Sequence, residues 1–475
     1  MIWKTAWKNV WRNRVRSLVV IISVTIGVFA GVFSIAFMNG MIAQRVNAAL
    51  DEEISHIQVS GKDFKLNNDP EIIIPDIMKS ISEINKIEGI TGMVERTLIN
   101  GMASTATKSI GVQIVGIDPE EDKKIFALYK TIIAGTGDFF ENESRNNMAF
   151  IGQDLAKELN IIRFSIDSNS LGNLKRQEIP DNILEKLSSL SGMRFPNEKK
   201  FTRRLKSLLS GKEITRYGQK IKKEAWSFRE GSRMTLTFLD KDNNQVGAVF
   251  RLTGLYDVKN TMFELTTIFV KNYDIKRLTG IDENSFHQIV IRINDVSRTQ
   301  EITGKIRERL PDLEVTNWKE LQPDLAMMTD YVQQIYAVFM LIILAALAFG
   351  IVNTMLMVVL ERTRGLGMLA AIGMNKKKVF SMIMLESVFL SIIGGILGMF
   401  VGWITVLLTA KDGINFAQYA EGMEAFGYSA HVYPEIGTSF FMMVTFLIIL
   451  TGILSSIYPA LKALKLDPAE AIRTE

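Results

Sequence analysis

Four stretches of this chain carry almost no charge, and each is too long for the core of a water-soluble domain of ordinary size. Residues 18–38 run for 21 positions without Lys, Arg, Asp or Glu, and at 1.5 Å per residue a helix of that length matches the ~30 Å hydrocarbon layer of a bilayer. Residues 331–360 are charge-free over 30 positions, enough for about 45 Å of helix, so this span is expected to project beyond the bilayer as a stalk. Residues 379–408 hold one acid, Glu386, and 440–458 hold none. Inside lipid every backbone N–H and C=O must be satisfied within its own segment, which makes all four helical. The expected fold class is an α-helical membrane protein with four transmembrane helices (18–38, 331–360, 379–408 and 439–458) and a large mixed α+β domain inserted between helices one and two.

Basic residues orient the spans. Lys4, Lys8, Arg12, Arg14 and Arg16 precede the first without an acid, and the loop 361–378 sets Arg362, Arg364, Lys376, Lys377 and Lys378 against Glu361. Both are therefore expected in the cytoplasm. The loop 409–438 has Lys411 against Asp412, Glu421, Glu424 and Glu435, which fits the opposite face, and four spans return the tail 459–475 to the cytoplasm. Residues 39–330 then lie outside it, with 41 of the 55 basic and 42 of the 51 acidic residues: a nearly neutral soluble domain. In residues 1–17, Ile2, Trp3, Ala6, Trp7, Val10 and Trp11 form one helical stripe opposite Lys4, Lys8 and Arg12, the pattern of an amphipathic helix in the headgroup layer. A signal peptide cut after Ser34-Ile35-Ala36 competes with this reading, but the apolar run exceeds the h-region such peptides use.

The outer segment exceeds what one core usually supports, so two subdomains are expected. Strand-like alternation falls at 56–60, 110–117, 234–239, 249–255, 267–270 and 288–293. Ile77, Ile81, Ile84 and Ile87 keep helical spacing, 154–159 reads as helix, and Ser297-Arg298-Thr299-Gln300 reads as a capping box opening a helix to Leu310. Residues 161–230 break the rhythm with 16 basic against 8 acidic residues and read as an insertion. It reads as a solvated helical excursion, with a docking arm for a partner or anionic headgroups as the alternative.

Chemistry is mostly excluded. The chain has no cysteine and only three histidines, His56, His287 and His431, far apart in sequence, which leaves little from which to build a metal centre. The nearest approach to a phosphate loop, Gly101 to Lys108, has Ala106 where the second glycine must stand. The acidic runs Asp51-Glu52-Glu53 and Glu120-Glu121-Asp122 read as solvated helix surface, and no catalytic residue is assigned. Glu386 is the one ionisable group well inside a span. It is read as structural, satisfied near an interface by a helix-end donor or water, with proton or substrate handling the alternative. Gly27 and Gly31, and Gly394, Gly398 and Gly402, fall at spacings that let helices approach closely. Glycine is also simply common in membrane helices.

The loop Glu361-Arg362-Thr363-Arg364-Gly365-Leu366-Gly367-Met368-Leu369-Ala370-Ala371-Ile372-Gly373-Met374 resembles the signature ERTREIG-x-x-x-A-x-G of FtsX-like (MacB/LolC-type, type VII) ABC transporter permeases. The resemblance continues through Glu386-Ser387 and Gly394-Gly395-Ile396-Leu397-Gly398 and returns in the tail from Tyr458-Pro459-Ala460 to Ala469-Glu470-Ala471-Ile472-Arg473. Gly365 stands where the family usually has an acid. The resemblance implies a four-span permease working as a dimer, with itself or a sister permease, beside stand-alone ABC ATPase subunits that hold ATP and Mg; this chain itself would carry no cofactor and no metal. Glu361, Arg362, Thr363, Arg364, Gly365, Leu366, Gly367, Met368, Leu369, Gly373 and Met374 would couple to that ATPase.

Within the family, Phe37-Met38-Asn39-Gly40-Met41 and Ser55-His56-Ile57-Gln58-Val59 look most like lipoprotein-releasing permeases. This implies extraction of lipoproteins from an inner (cytoplasmic) membrane, with the large domain periplasmic and a soluble periplasmic carrier as a further partner. Phe33, Phe37, Met41, Tyr336, Phe339 and Met340 would offer acyl chains an apolar cavity, or else pack helices together. The alternatives are a MacB-like tripartite efflux permease and an FtsX-like mechanical regulator of a cell-wall hydrolase.

Overall fold

In a computed structural model, the described residues are 2–140, 147–177, 179–228, 231–372 and 374–464. Four helices contain windows long and apolar enough to cross a membrane: Arg14–Ala48, Pro323–Glu361, Lys376–Asp412 and Thr438–Leu464. Polar residues end the apolar runs without ending the helices. Residues 39–48 and 323–330, placed in the outer domain by their charge, are therefore helical, and 14–17 belong to the first long helix rather than to the short lead helix Ile2–Arg12. The loop 361–378 likewise contains a helix, Thr363–Ala371.

The chain divides into two compact units, one of 1–44, 327–420 and 429–475, the other of 45–326 and 421–428. In the helical unit, small residues set the packing, because lipid removes the apolar driving force between helices and leaves close backbone approach to replace it. Gly394, Gly398 and Gly402 face Val24, Val28 and Val32 of the first long helix, and a Cβ at Gly398 would stand 2.7 Å from the Thr25 carbonyl oxygen. Thr25 Oγ1 donates to the Gly394 carbonyl at 3.1 Å. Gly27 and Gly31 turn instead toward Leu347, Met340 and Ile343 of the second. At Gly40 any Cβ would overlap the Tyr433 carbonyl oxygen, which lets the segment after the third long helix lie against the first. Glu435 N–H donates to the Ala36 carbonyl at 2.9 Å.

The other unit is built on a nine-stranded mixed sheet. Its strands, in chain order with those of a smaller sheet, are β1 (Ile57–Gly61), β2 (Ile90–Ser104), β3 (Ser109–Ile117), β4 (Met148–Gly152), β5 (Arg163–Ser165), β6 (Arg194–Phe195), β7 (Trp226–Ser227), β8 (Arg233–Leu239), β9 (Gln245–Tyr256), β10 (Thr267–Lys271), β11 (Gln288–Ile293) and β12 (Leu313–Asn317). The large sheet runs β12-β1-β11-β2-β3-β10-β4-β9-β8, and a further β2–β8 pairing joins its last six strands into a ring. Pairs β3–β10 and β4–β9 are parallel. Alternation sorts the core: Ile114, Ile268 and Val270 share one apolar cluster, while Val115, Ile117 and Phe269 share another on the opposite face. A third cluster unites Ile57, Val59, Ile289, Ile291 and Ile293 with helix Ile77–Asn85. The outer segment is thus one compact unit with several apolar clusters, not two bodies.

The structure departs from the sequence pattern at three places. The segment 161–230 is not a solvated excursion: β5, β6 and β7 form a small sheet, and Leu174, Leu187, Phe201, Leu205 and Ile221 are buried in the largest apolar cluster. Amphipathic helices with basic outer faces produce its charge excess. The capping box at Ser297 does not form. Asp295 accepts from Ser297 N–H at 2.9 Å, and a short 3-10 turn precedes helix Thr299–Arg309. Nor are the acidic runs all surface. Asp122 is buried against Arg96, whose Nη2 lies 2.7 Å away, and Glu53 is buried as described below.

Glu264 is also buried and lies among Asp154 and Asp257. Burial first, then those charges, push its carboxyl up to about 9. A raised carboxyl contributes stability that is complete below its unfolded value and lost as pH rises toward the folded one, here between about 4.5 and 9. Glu264→Gln imitates the protonated form. The thermal midpoint of the variant is therefore expected to hold its value as pH rises through this window while that of the parent falls, by up to ~1.4 kcal/mol of stability per pH unit. Parallel pH profiles would contradict the assignment.

Candidate functional site

The short helix Thr363–Ala371 links the second long helix to the third, and its two faces differ. Leu366 and Gly367 are buried, whereas Arg364, Gly365 and Met368 are exposed. Arg364, Met368 and Ile372 follow one another at i, i+4 and i+8, giving a single outward stripe with a cation and two apolar side chains. Gly365 lies on this side, and a Cβ there would meet open space. Met374 N–H closes the turn on the Leu369 carbonyl at 3.0 Å. Gly373 lies outside the described residues, as does the tail from 465 onward.

One buried carboxylate anchors the start of this helix. Glu386 accepts from Arg362 Nη1 at 3.3 and 3.2 Å and from Asn9 Nδ2 at 2.6 Å, and Arg362 Nη2 donates to the Asn9 carbonyl at 3.2 Å. The lead helix, the residue just before the linking helix and the third long helix thus meet on one ion pair. A cavity of about 180 Å³ beside it is lined by Asn9, Arg12, Met355, Leu366 and Met382 among others. Arg16 bridges to Glu361 nearby. Ala6 and Val10 of the lead helix are buried, while Trp3 and Trp7 pack edge-on to Phe389 at 4.9 and 5.5 Å. Asn9 gave no signal in the sequence, since one asparagine on a helix acquires meaning only when its partner is known.

The six residues expected to form an apolar cavity line none of the cavities described here. Tyr336 and Met340 are buried within the helix bundle, Met340 against Gly31, and Phe339 is exposed. Phe33 stacks on Phe29 at 6.1 Å, Phe37 meets Phe416 at 5.4 Å, and Met41 is half-buried.

A second buried acid, missed in the sequence as helix surface, lies in the sheet-based unit. The first long helix widens into a π turn, Ala49–Glu53, a form of helix often found at functional positions. Glu53 at its end accepts from Arg45 at 2.8 and 3.2 Å, Asn260 at 2.9 Å and Gln322 at 3.1 Å. Gln322 immediately precedes the second long helix. Beside it, Glu52 is pushed up to about 7 by burial and by Glu53 and Asp51.

The helices after the outer segment, and the first helix with the start of that segment, match the two family models of FtsX/MacB-type ABC-transporter permeases. The chain carries an FtsX-like permease C-terminal domain over 337–468 and a MacB-like periplasmic core domain over 17–169. It is similar to the macrolide export ATP-binding/permease protein MacB of Syntrophobacter fumaroxidans, at 29% identity over 42% of this chain and 26% of that one. It is also similar to the uncharacterized ABC transporter permease YknZ of Bacillus subtilis, at 23% over 56% of this chain and 63% of that one. Each match spans less than two thirds of the relative's own length. Among solved structures, the extracellular domain of YknZ aligns at 11% identity and a TM-score of 0.28, over 55% of this chain and 98% of that one.

Proposed function

We propose that this chain is the permease subunit of a type VII ABC transporter. A stand-alone ATPase, holding ATP and Mg, docks on the Arg364, Met368 and Ile372 stripe and relays its motion through the long helices to the domain between the first two. The observation that carries this reading is the linking helix itself, polarised into an outward stripe and an anchored base. A lever of this kind needs a rigid root, and the Arg362–Glu386–Asn9 node supplies one. Both termini and the linking helix lie in the cytoplasm on this reading, in a dimer of permeases. The cargo we assign is a lipoprotein drawn from the inner membrane toward a periplasmic carrier, supported by the residues around Phe37 and His56 that look like lipoprotein-releasing permeases. Relatives named for macrolide export favour a second reading, efflux through a periplasmic adaptor.

Met368→Glu tests the docking face. Met368 is about half exposed, so the substitution is expected to leave the thermal midpoint unchanged while co-purification of the ATPase from native membranes falls at least tenfold. Full retention of the ATPase would refute the docking assignment. Mass spectrometry of the same preparation separates the cargoes: acylated lipoproteins support extraction, and an adaptor protein in their place refutes it.

A further inference from the structure

A cavity of about 1,120 Å³ lies in the sheet-based unit where β5, β6 and β7 face β8 and β9. Arg163, Arg194, Arg233 and Arg251 all line it, and none of its described lining residues is acidic. In the register of β8 and β9, Arg233 stands directly opposite Arg251, a placement of like charges that destabilises an antiparallel pair. Arg163 and Arg194 enter from the small sheet, opposite Ser227 and Ser165. No described residue forms an ion pair with any of the four, although the unit has acids to spare. The fold concentrates about four positive charges around one space, with no acidic partner among the described residues.

We propose that this cavity binds a ligand carrying two phosphate groups. Guanidinium forks match phosphate oxygens in bidentate geometry. Each phosphate monoester brings about −1.5 to −2 at pH 7, so two balance four arginines within one cavity, whereas an acidic peptide would have to crowd four carboxylates into the same space. The Thr105, Thr107, Ser165 and Ser227 hydroxyls on the lining add neutral donors, and Phe195 and Phe228 give the rest of the ligand an apolar wall. The phosphates can belong to a soluble molecule or to a lipid headgroup. This site stands apart from the ATPase and cargo assignments and does not depend on them.

The test is thermal unfolding of the full chain in detergent with inorganic pyrophosphate, with water-soluble dioctanoylglycerol pyrophosphate, whose headgroup carries two phosphates, and with a polyglutamate peptide. At ~100-fold above its dissociation constant, pyrophosphate is expected to raise the midpoint by about 5 °C, and less at high salt. The double variant Arg233→Gln, Arg251→Gln removes the opposed charges. It is expected to start at a midpoint equal to or slightly above the parent's, which reports that it folds, and to lose the pyrophosphate shift. A shift with the lipid phosphate that the variant also loses assigns the source to a headgroup; a shift with pyrophosphate alone assigns it to a soluble ligand. A shift that survives in the variant, a shift with polyglutamate only, or no shift with any probe overturns the proposal.

Discussion

Replacing Glu386 by leucine is expected to cost about 3–5 kcal/mol of stability, the penalty for stranding one member of a buried ion pair. The side chains of Arg362 and Glu386 are 18% and 6% exposed, so the guanidinium left behind could recover little hydration. It would also lose its hold on the lead helix, because Asn9 Nδ2 and the Asn9 carbonyl are fixed by the same two residues. Glu386→Gln separates two roles for this acid. The amide keeps an oxygen for Arg362 and Asn9 and gives up the charge, so an anchoring role predicts a smaller loss of stability and retained transport. A proton-handling role predicts that Glu386→Gln abolishes transport while the protein remains assembled. Unfolding followed by the fluorescence of Trp3 and Trp7, which pack on Phe389 one turn away, measures the first effect, and cargo release by the reconstituted complex measures the second. A leucine variant as stable as the parent would show that the node carries no weight.

The parts of this architecture that were legible in sequence are those governed by one local rule. Charge-free length identifies a span without knowledge of its neighbours, and a loop signature such as 361–374 is contiguous. Strands β3, β8 and β11 were legible because they alternate cleanly. By contrast β2, the longest strand and the one that pairs with three others, was missed. It is covered on both faces from Thr97 to Asn100's neighbour Ile99, and it buries Arg96 against Asp122, which erases the two-residue period. The acids that matter were misread for the same reason. Glu53 lies in a run of three acids that looks like helix surface, and Glu386 resembles a lone polar residue in a span. What distinguishes each is a partner over two hundred or more residues, or over a helix break, away in the chain: Asn260 and Gln322 for Glu53, Asn9 for Glu386. Helix ends were misplaced because hydration of a charge ends an apolar run but has no bearing on the i→i−4 ladder.

Glu53→Ala is expected to separate ATP hydrolysis from movement of the outer domain. Its carboxylate gathers Arg45 from the first long helix, Gln322 from the residue before the second, and Asn260 from the sheet-based unit. These residues thus meet at one buried group within the sheet-based unit. Removing the carboxylate leaves Arg45, itself buried, without its counter-charge, at a cost of about 3–5 kcal/mol, while the linking helix and its stripe are untouched. The variant should thus still bind the ATPase. Glu53→Gln, which retains an acceptor for Asn260 or Gln322, is expected to be milder on both counts. Because the chain has no cysteine, a spin-label pair can be introduced without background at two exposed positions, Met78→Cys in the sheet-based unit and Tyr419→Cys in the helical unit. In the parent the distance distribution between the labels should change when nucleotide is added to the assembled complex; in Glu53→Ala the ATPase should bind and hydrolyse while that distribution stays fixed. A variant whose labels respond as the parent's do would place the relay elsewhere, and one that loses the ATPase altogether would show that Glu53 serves folding and not transmission.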